Sequence, residues 1–204
     1  AISMINAAAV SDMSTANFGV GTAVLQTVRQ VGGMLGVALF TTGLFLLAVM
    51  VSAEGGYWSV IPGLIVLSVG IGLCMSPSTT VITESLPVAK QGVASALNDT
   101  VRELGGAIGI ALLGSFVSAG YRSSVSGATE SLSPELASEV KEGIGAAFAA
   151  APHLGADAPR IIEAAQAALV DGWQVAMWFG VGLAGSLLAY LVIRGPRASD
   201  LAAE

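Results

Sequence analysis

Four stretches of this chain carry no charged side chain, and each is about as long as a bilayer is thick. No Asp, Glu, Lys or Arg lies between Arg29 and Glu54 (24 residues), between Glu54 and Glu84 (29), between Glu103 and Arg122 (18), or between Asp171 and Arg194 (22). A helix crosses a hydrocarbon core of about 30 Å with about 20 apolar residues. A charge at the bilayer centre costs roughly 2.5–3.5 kcal/mol on the insertion scale, so gaps of this length are a physical signal. The spacing predicts transmembrane helices over about 26–51, 58–83, 93–119 and 172–193. The first span has room to begin as early as Gly19. Lipid offers backbone polar groups no partner, so such spans must be helices or closed barrels. A barrel alternates along each strand, whereas Leu44-Phe45-Leu46-Leu47 is apolar on every side.

Composition supports the same class. Of 204 residues 54% are hydrophobic and 11% are charged, against about 25% charged in an average soluble domain. Mean hydropathy is +0.78. Those few charges cannot coat a soluble domain, which excludes an ordinary soluble enzyme and a disordered tail. The net charge of −6 argues against nucleic acid, because phosphate binding needs clustered Lys and Arg. The single cysteine, Cys74, and the single histidine, His153, make neither a disulfide framework nor a Cys/His zinc site. No Ser/His/Asp set, H-E-x-x-H, P-loop or G-x-S-x-G motif is present, so neither catalytic chemistry nor a cofactor is expected.

Punctuation divides the chain into regions 1–39, 40–119, 120–171 and 172–204. Gly55-Gly56 separates the first two spans and Pro87 the next two, while Pro62 and Pro77 should kink or end turns inside the second. Segment 120–171 holds Arg122, Lys141 and Arg160 against seven acids. In it Ser133-Pro134-Glu135 reads as a capped helix start. Asp157-Ala158-Pro159 opens a second short helix towards Asp171, giving a two-helix excursion from the membrane. Arg194 and Arg197 follow the last span and Lys90 lies between the second and third, so these ends face the cytoplasm and the 120–171 loop lies outside. Trp58, Trp173 and Trp178 include two near span ends, as in an interfacial aromatic belt. Glu84 reads as an interfacial acid, Cys74 and Met75 as packing or lipid-facing, and His153 as solvated.

An internal repeat carries the candidate site. With a shift of 73 residues, 19–39 matches 92–112 without a gap at 11 of 21 positions. The period covers two crossings, so both copies should run the same way. Shared positions include Thr27/Thr100, Arg29/Arg102, Gly32-Gly33/Gly105-Gly106 and Gly36/Gly109. Glycines four apart share a helix face and let helices approach closely. That face serves packing alone or borders a substrate path. Arg29 and Arg102 either snorkel to the interface or gate an ion or substrate. Asp99 and Arg102 are three apart and can pair on one face. Asp99 and Glu103 either belong to a solvated helix end or meet a water-filled cavity and exchange a proton. The second role requires burial to favour the neutral acid against the pull of Arg102.

The third span resembles a known helix. Leu86-Pro87, Gly92, Ser95-Ala96, Asn98, Arg102, Gly105-Gly106 and Gly109 follow the pattern L-P, a short spacer, then G-x-x-S-A-x-N-x-x-x-R-x-x-G-G-x-x-G. This resembles the penultimate transmembrane helix of the fourteen-helix drug:proton antiporters of the major facilitator superfamily. Pro62-Gly63-Leu64 through Gly72 to Pro77 resembles the helix before it, and Trp173 to Arg194 the last helix with its basic end. The resemblance covers about 40–197 in family order. It implies an all-α partial C-terminal bundle in the inner membrane, serving efflux of small amphipathic substrates against protons. Asn98, Arg102, Gly105, Gly106 and Gly109 are the motif positions; Asp99 and Glu103 stand at variable ones between them.

Two departures from the family shape the expectation. The family's N-terminal bundle, its basic G-x-x-x-D-R-x-G-R loop and its G-P-x-x-G-G helix are missing, and residues 1–39 repeat the penultimate-helix region where the family has another helix. Alternating access needs two halves rocking about a central site. The chain therefore reads as a fragment that does not transport alone and whose partners are membrane lipid and the missing bundle. The other reading is a stand-alone four-helix membrane protein that binds partners through its glycine faces.

Overall fold

A computed structural model of the chain describes residues 18–84, 87 and 90–194. The described residues form helices and no strand: α1 (Phe18–Met50), α2 (Gly56–Glu84), α3 (Gln91–Val125), the short α4 (Pro134–Glu142) and α5 (Ile144–Ala150), and α6 (Ala158–Arg194). Four of them are long and apolar enough to cross a membrane. The chain is an all-α polytopic membrane protein. Leu86 and Arg197 lie outside the described residues, as do residues 1–17 of the first region, and so does the side chain of Glu84.

Helix limits differ from the charge gaps in one informative way. α2 runs unbroken through Pro62 and Pro77. α6 starts at Ala158 and is continuous to Arg194, so the short helix predicted to lead towards Asp171 is the first part of the last span. Nothing between Ala158 and Trp173 breaks a helix: alanines dominate, and Gly172 sits mid-helix against a neighbour. α3 has 35 residues and α6 has 37. At 1.5 Å per residue they measure about 52 and 55 Å, well beyond an apolar core of about 30 Å. Both are therefore longer than a bilayer core is thick, and at one end they carry a cap of short helices.

The cap has a core of its own. Tyr121 and Val125 of α3, Val140 of α4, Ala147 and Ala150 of α5, Leu154, and Ile161, Ala165 and Ala168 of α6 are buried together. Ser133 Oγ accepts the Leu136 N–H at 3.4 Å, and Pro134 opens α4, as the sequence predicts. Tyr121 Oη donates to the Val140 carbonyl at 2.9 Å. Arg160 donates to the Ala128 carbonyl (3.2 Å) and to Ser131 Oγ (2.9 Å), and pairs with Asp157 at 3.3 Å. That pair is exposed, so its own contribution is small; the arginine serves to bridge the turn and α6. Gly155 (φ +55°) supplies the left-handed turn before α6.

Within the membrane part, α1 packs along α2 and along α6, and α3 packs along α6. The α1–α2 turn uses Gly56 at φ +51°. The α1–α2 seam alternates small and large residues. Gly36 faces Cys74, Phe40 faces Gly70, Gly43 faces Leu67, and Leu47 faces Gly63. Both sets advance by four, three and four residues, the 3.5-residue repeat of antiparallel helices meshing knobs into holes. A Cβ on Gly43 would lie 2.6 Å from Leu67 Cα, and one on Gly63 would lie 2.7 Å from Leu47 Cγ. Close approach here is carried by packing, since lipid tails provide no hydrophobic drive between helices.

Further along, Leu44, Leu47 and Ala48 of α1 bury with Ala176, Met177 and Ala184 of α6. Phe45 and Trp178 meet edge to face at 5.7 Å between centroids, and Gln174 Nε2 donates to the Val51 carbonyl at 3.4 Å. On the other side of α6, Phe116 lies 4.7 Å from Phe179. Gly120 meets Gly172 so closely that a Cβ on Gly120 would stand 2.6 Å from Gly172 Cα. In both pairings residue numbers rise on one helix as they fall on α6. α1 and α3 therefore run the same way, as a shift of 73 requires.

Candidate functional site

The repeat copies lie on α1 and α3, and neighbours treat them differently. In α1, Gly36 is buried against Cys74 and the Gly70 carbonyl, and the Gly33 carbonyl accepts a weak bond from Cys74 Sγ at 3.6 Å. Gly32 has open space beside it, and Arg29 is partly buried. In α3 none of Gly105, Gly106 or Gly109 has a described atom within 4 Å of where a Cβ would stand. The glycine face of α1 is filled by α2 at Gly36. Among the described residues nothing fills the glycine face of α3.

The two copies nonetheless use one face. The α1 seam positions Gly36, Phe40, Gly43 and Leu47 correspond, 73 residues on, to Gly109, Leu113, Phe116 and Gly120. Of these Leu113 and Phe116 pack towards α6, and Gly120 touches Gly172. Leu113 thus joins the cluster formed with α1 and α6, and Gly105, Gly106 and Gly109 continue the same side of α3 beyond it.

Polar motif residues gather one to three turns before those glycines. Asn98 is only 6% exposed, and Ala94 near it is buried. Asn98 Nδ2 donates to Asp99 Oδ1 at 3.4 Å. A buried carboxamide costs free energy unless bonded, so this contact matters more than its length suggests. Arg102 is exposed and reaches across to α2, with Nη2 3.9 Å from Met75 Sδ. Among the described residues no ion pair joins Asp99 to Arg102; the carboxylate takes its hydrogen bond from Asn98 instead. Glu103 and Asp99 are both exposed on the protein surface. Among the described residues no group of His, Cys, Asp and Glu is arranged to hold a metal.

Two further features were missed in the sequence. One is the α2 face of Gly63, Leu67, Gly70 and Cys74; its signal is the seven-residue spacing Gly63–Gly70, matched by Gly36–Gly43. The other is the burial of Trp173, expected with Trp58 and Trp178 in an interfacial belt: its indole Nε1 is buried without a partner among the described residues. It lies at the edge of the cluster that joins α1, α3 and α6.

Comparison with known proteins adds one relationship. The chain is 38% identical over 115 residues to the multidrug efflux pump LfrA of Mycolicibacterium smegmatis, a stretch that is 56% of this chain and 23% of the pump. It thus spans less than a quarter of that relative's length. No family model matches the chain, and no solved structure does. The likeness is to a membrane transporter, not to an enzyme.

Proposed function

We propose that this chain is the C-terminal part of a proton-coupled multidrug efflux transporter of the major facilitator superfamily, and that it does not transport alone. The observation that carries the reading is the 38% identity to a multidrug efflux pump in a chain with four membrane-capable helices. In this reading the chain sits in the cytoplasmic membrane with its C-terminus inside and its cap outside. Region 40–119 supplies helices of the C-terminal bundle, 120–171 the outer region with its short helices and the first part of α6, and 172–204 the rest of the last helix and the tail. Region 1–39 is a second copy of the Gly-Gly helix. Small amphipathic substrates and protons are handled by the whole transporter, whose N-terminal bundle is the missing partner. Asn98, Arg102, Gly105, Gly106 and Gly109, with Arg29, Gly32, Gly33 and Gly36 in the first copy, are its packing or transport positions. Asp99 and Glu103 are the acids to test for proton exchange.

A chimera tests this. The matched stretch of LfrA is replaced by the corresponding stretch of this chain, and proton-driven efflux of a cationic dye is followed in vesicles. Efflux by the chimera together with none by the 204-residue chain is the expected result. A well-inserted chimera that moves no dye overturns the reading, and so does efflux by the chain alone. The open glycine face of α3 favours a second reading, a stand-alone module that binds partners. An inactive chimera combined with a discrete oligomer after extraction selects it.

A further inference from the structure

α3 and α6 are held together at one end. At the cap end their backbones touch at Gly120 and Gly172. Immediately beyond this crossing, Tyr121 and Val125 of α3 share a buried core with Ile161, Ala165 and Ala168 of α6. The Tyr121–Val140 bond and the bonds of Arg160 to Ala128 and Ser131 close that core over the crossing. Towards the other end the pairing stops. Leu104 and Ile108 of α3 are exposed, and so are Leu183, Leu187 and Tyr190 of α6. Among the described residues, Gly105, Gly106 and Gly109 of α3 have no neighbour within 4 Å of where a Cβ would stand. There α3 leans on α2 instead, through Arg102 and Met75.

We propose that the cap is a clamp that sets the angle of the α3–α6 crossing, and that its state determines the spacing of the two helices at the far end. The geometry gives the leverage. Gly105 lies fifteen residues from Gly120, about 22 Å along the helix, so a tilt of about 10° at the crossing moves it by about 4 Å. The cap core is built directly on extensions of these two helices, with no flexible linker between cap and span. Loosening the cap therefore changes the crossing, and the far end magnifies the change. This inference does not depend on the transport reading.

Spin-label distances in the full chain in lipid nanodiscs test it, in a Cys74→Ala background. One pair, Arg122→Cys with Glu163→Cys, reports on the cap end. The other, Leu104→Cys with Leu187→Cys, reports on the far end; all four positions are exposed. The clamp predicts a narrow distribution for the cap pair and one at least twice as broad for the far pair. Adding Tyr121→Phe and Arg160→Ala should broaden the cap pair and shift the far pair by 3 Å or more (about the 4 Å lever estimate). A far pair as narrow as the cap pair overturns the proposal without any cap variant. So does a cap variant that leaves either distribution unchanged.

Discussion

Gly172→Ala and Gly105→Ala add the same methyl group to helices of the same bundle, and the structure predicts opposite signs. A Cβ on Gly172 would lie 3.0 Å from the Tyr121 amide nitrogen and 3.2 Å from the Val117 carbonyl carbon, and nearer still to the Val117 oxygen. All three are backbone atoms, so no side chain can swing aside. Ordinary contacts begin at about 3.5 Å, so the helices must part by roughly 0.5–1 Å. Overpacking of this kind costs about 1–3 kcal/mol. Alanine recovers about 1 kcal/mol as the better helix former. The net expectation is a loss of about 1 kcal/mol. At Gly105 no atom of the described residues stands within 4 Å, so only the helix-propensity gain is expected, up to about 1 kcal/mol. The two variants should differ by about 2 kcal/mol, close to thirtyfold in the folded-to-unfolded ratio. Titration from mild detergent into dodecyl sulfate, followed by tryptophan fluorescence, reads both, and Trp173 beside the crossing is a suitable reporter. A Gly172→Ala variant at least as stable as the parent refutes the close crossing. A loss at Gly105 matching that at Gly172 refutes the open face and means that a helix covers it.

Other expectations follow from the same contacts. Gly63→Ala drives a methyl into Leu47, whose side chain lies 2.7 Å from the new atom; combined with Leu47→Ala, it should cost at least about 1 kcal/mol less than the sum of the single variants in a double-mutant cycle. Tyr121→Phe removes the bond to the Val140 carbonyl and should cost about 1–2 kcal/mol in the same titration, with faster amide exchange confined to the cap. Asn98→Leu keeps the volume but strips Asp99 of its hydrogen-bond donor, and in the LfrA chimera it should weaken dye efflux while membrane insertion is preserved. Asp99→Asn and Glu103→Gln in that chimera are expected to shift the pH profile of efflux; an unchanged profile removes both acids from proton exchange.

The spans were legible because burial in lipid acts on charge, and charge is read directly from a sequence. Arg29, Glu54, Glu84, Glu103, Arg122 and Arg194 mark limits that no helix propensity had to supply. The same rule misplaced the start of α6. Asp171 ends a charge gap, yet a helix standing above the bilayer tolerates charge, and Glu163 and Asp171 ride on its exposed side. The sequence therefore shows where a helix enters lipid, not where it begins. Ser133-Pro134 was legible for a different reason: capping is local chemistry, complete within four residues. The cap core was not legible, because Tyr121, Val140 and Ile161 come together only after two helices cross at glycines 52 residues apart in sequence.

The repeat shows how far a motif reaches. Both copies carry Arg, a Gly-Gly pair and a third glycine at one spacing, and both present that side of the helix towards a neighbour. What the side then does depends on residues outside the motif. In α1 the third seam position is Gly43, which admits the α2 backbone at Leu67, so contact runs from Gly36 through Phe40 to Leu47. In α3 the equivalent position is Phe116, which meets Phe179 and props α6 at ring distance, 4.7 Å between centroids. Backbone contact with α6 comes at Val117 and Gly120, where Gly172 stands opposite. Three seam positions differ between the copies, Phe40/Leu113, Gly43/Phe116 and Leu47/Gly120, and the change from Gly43 to Phe116 is the one that puts a ring where the first copy admits a backbone. Exchanging these two residues provides a direct test. Phe116→Gly should let the open end of α3 close on α6 and shorten the Leu104–Leu187 label distance. Gly43→Phe should split α1 from α2. If Phe116→Gly leaves the far end as wide as before, the opening is set by the cap or by Arg102 on α2, and not by the aromatic prop.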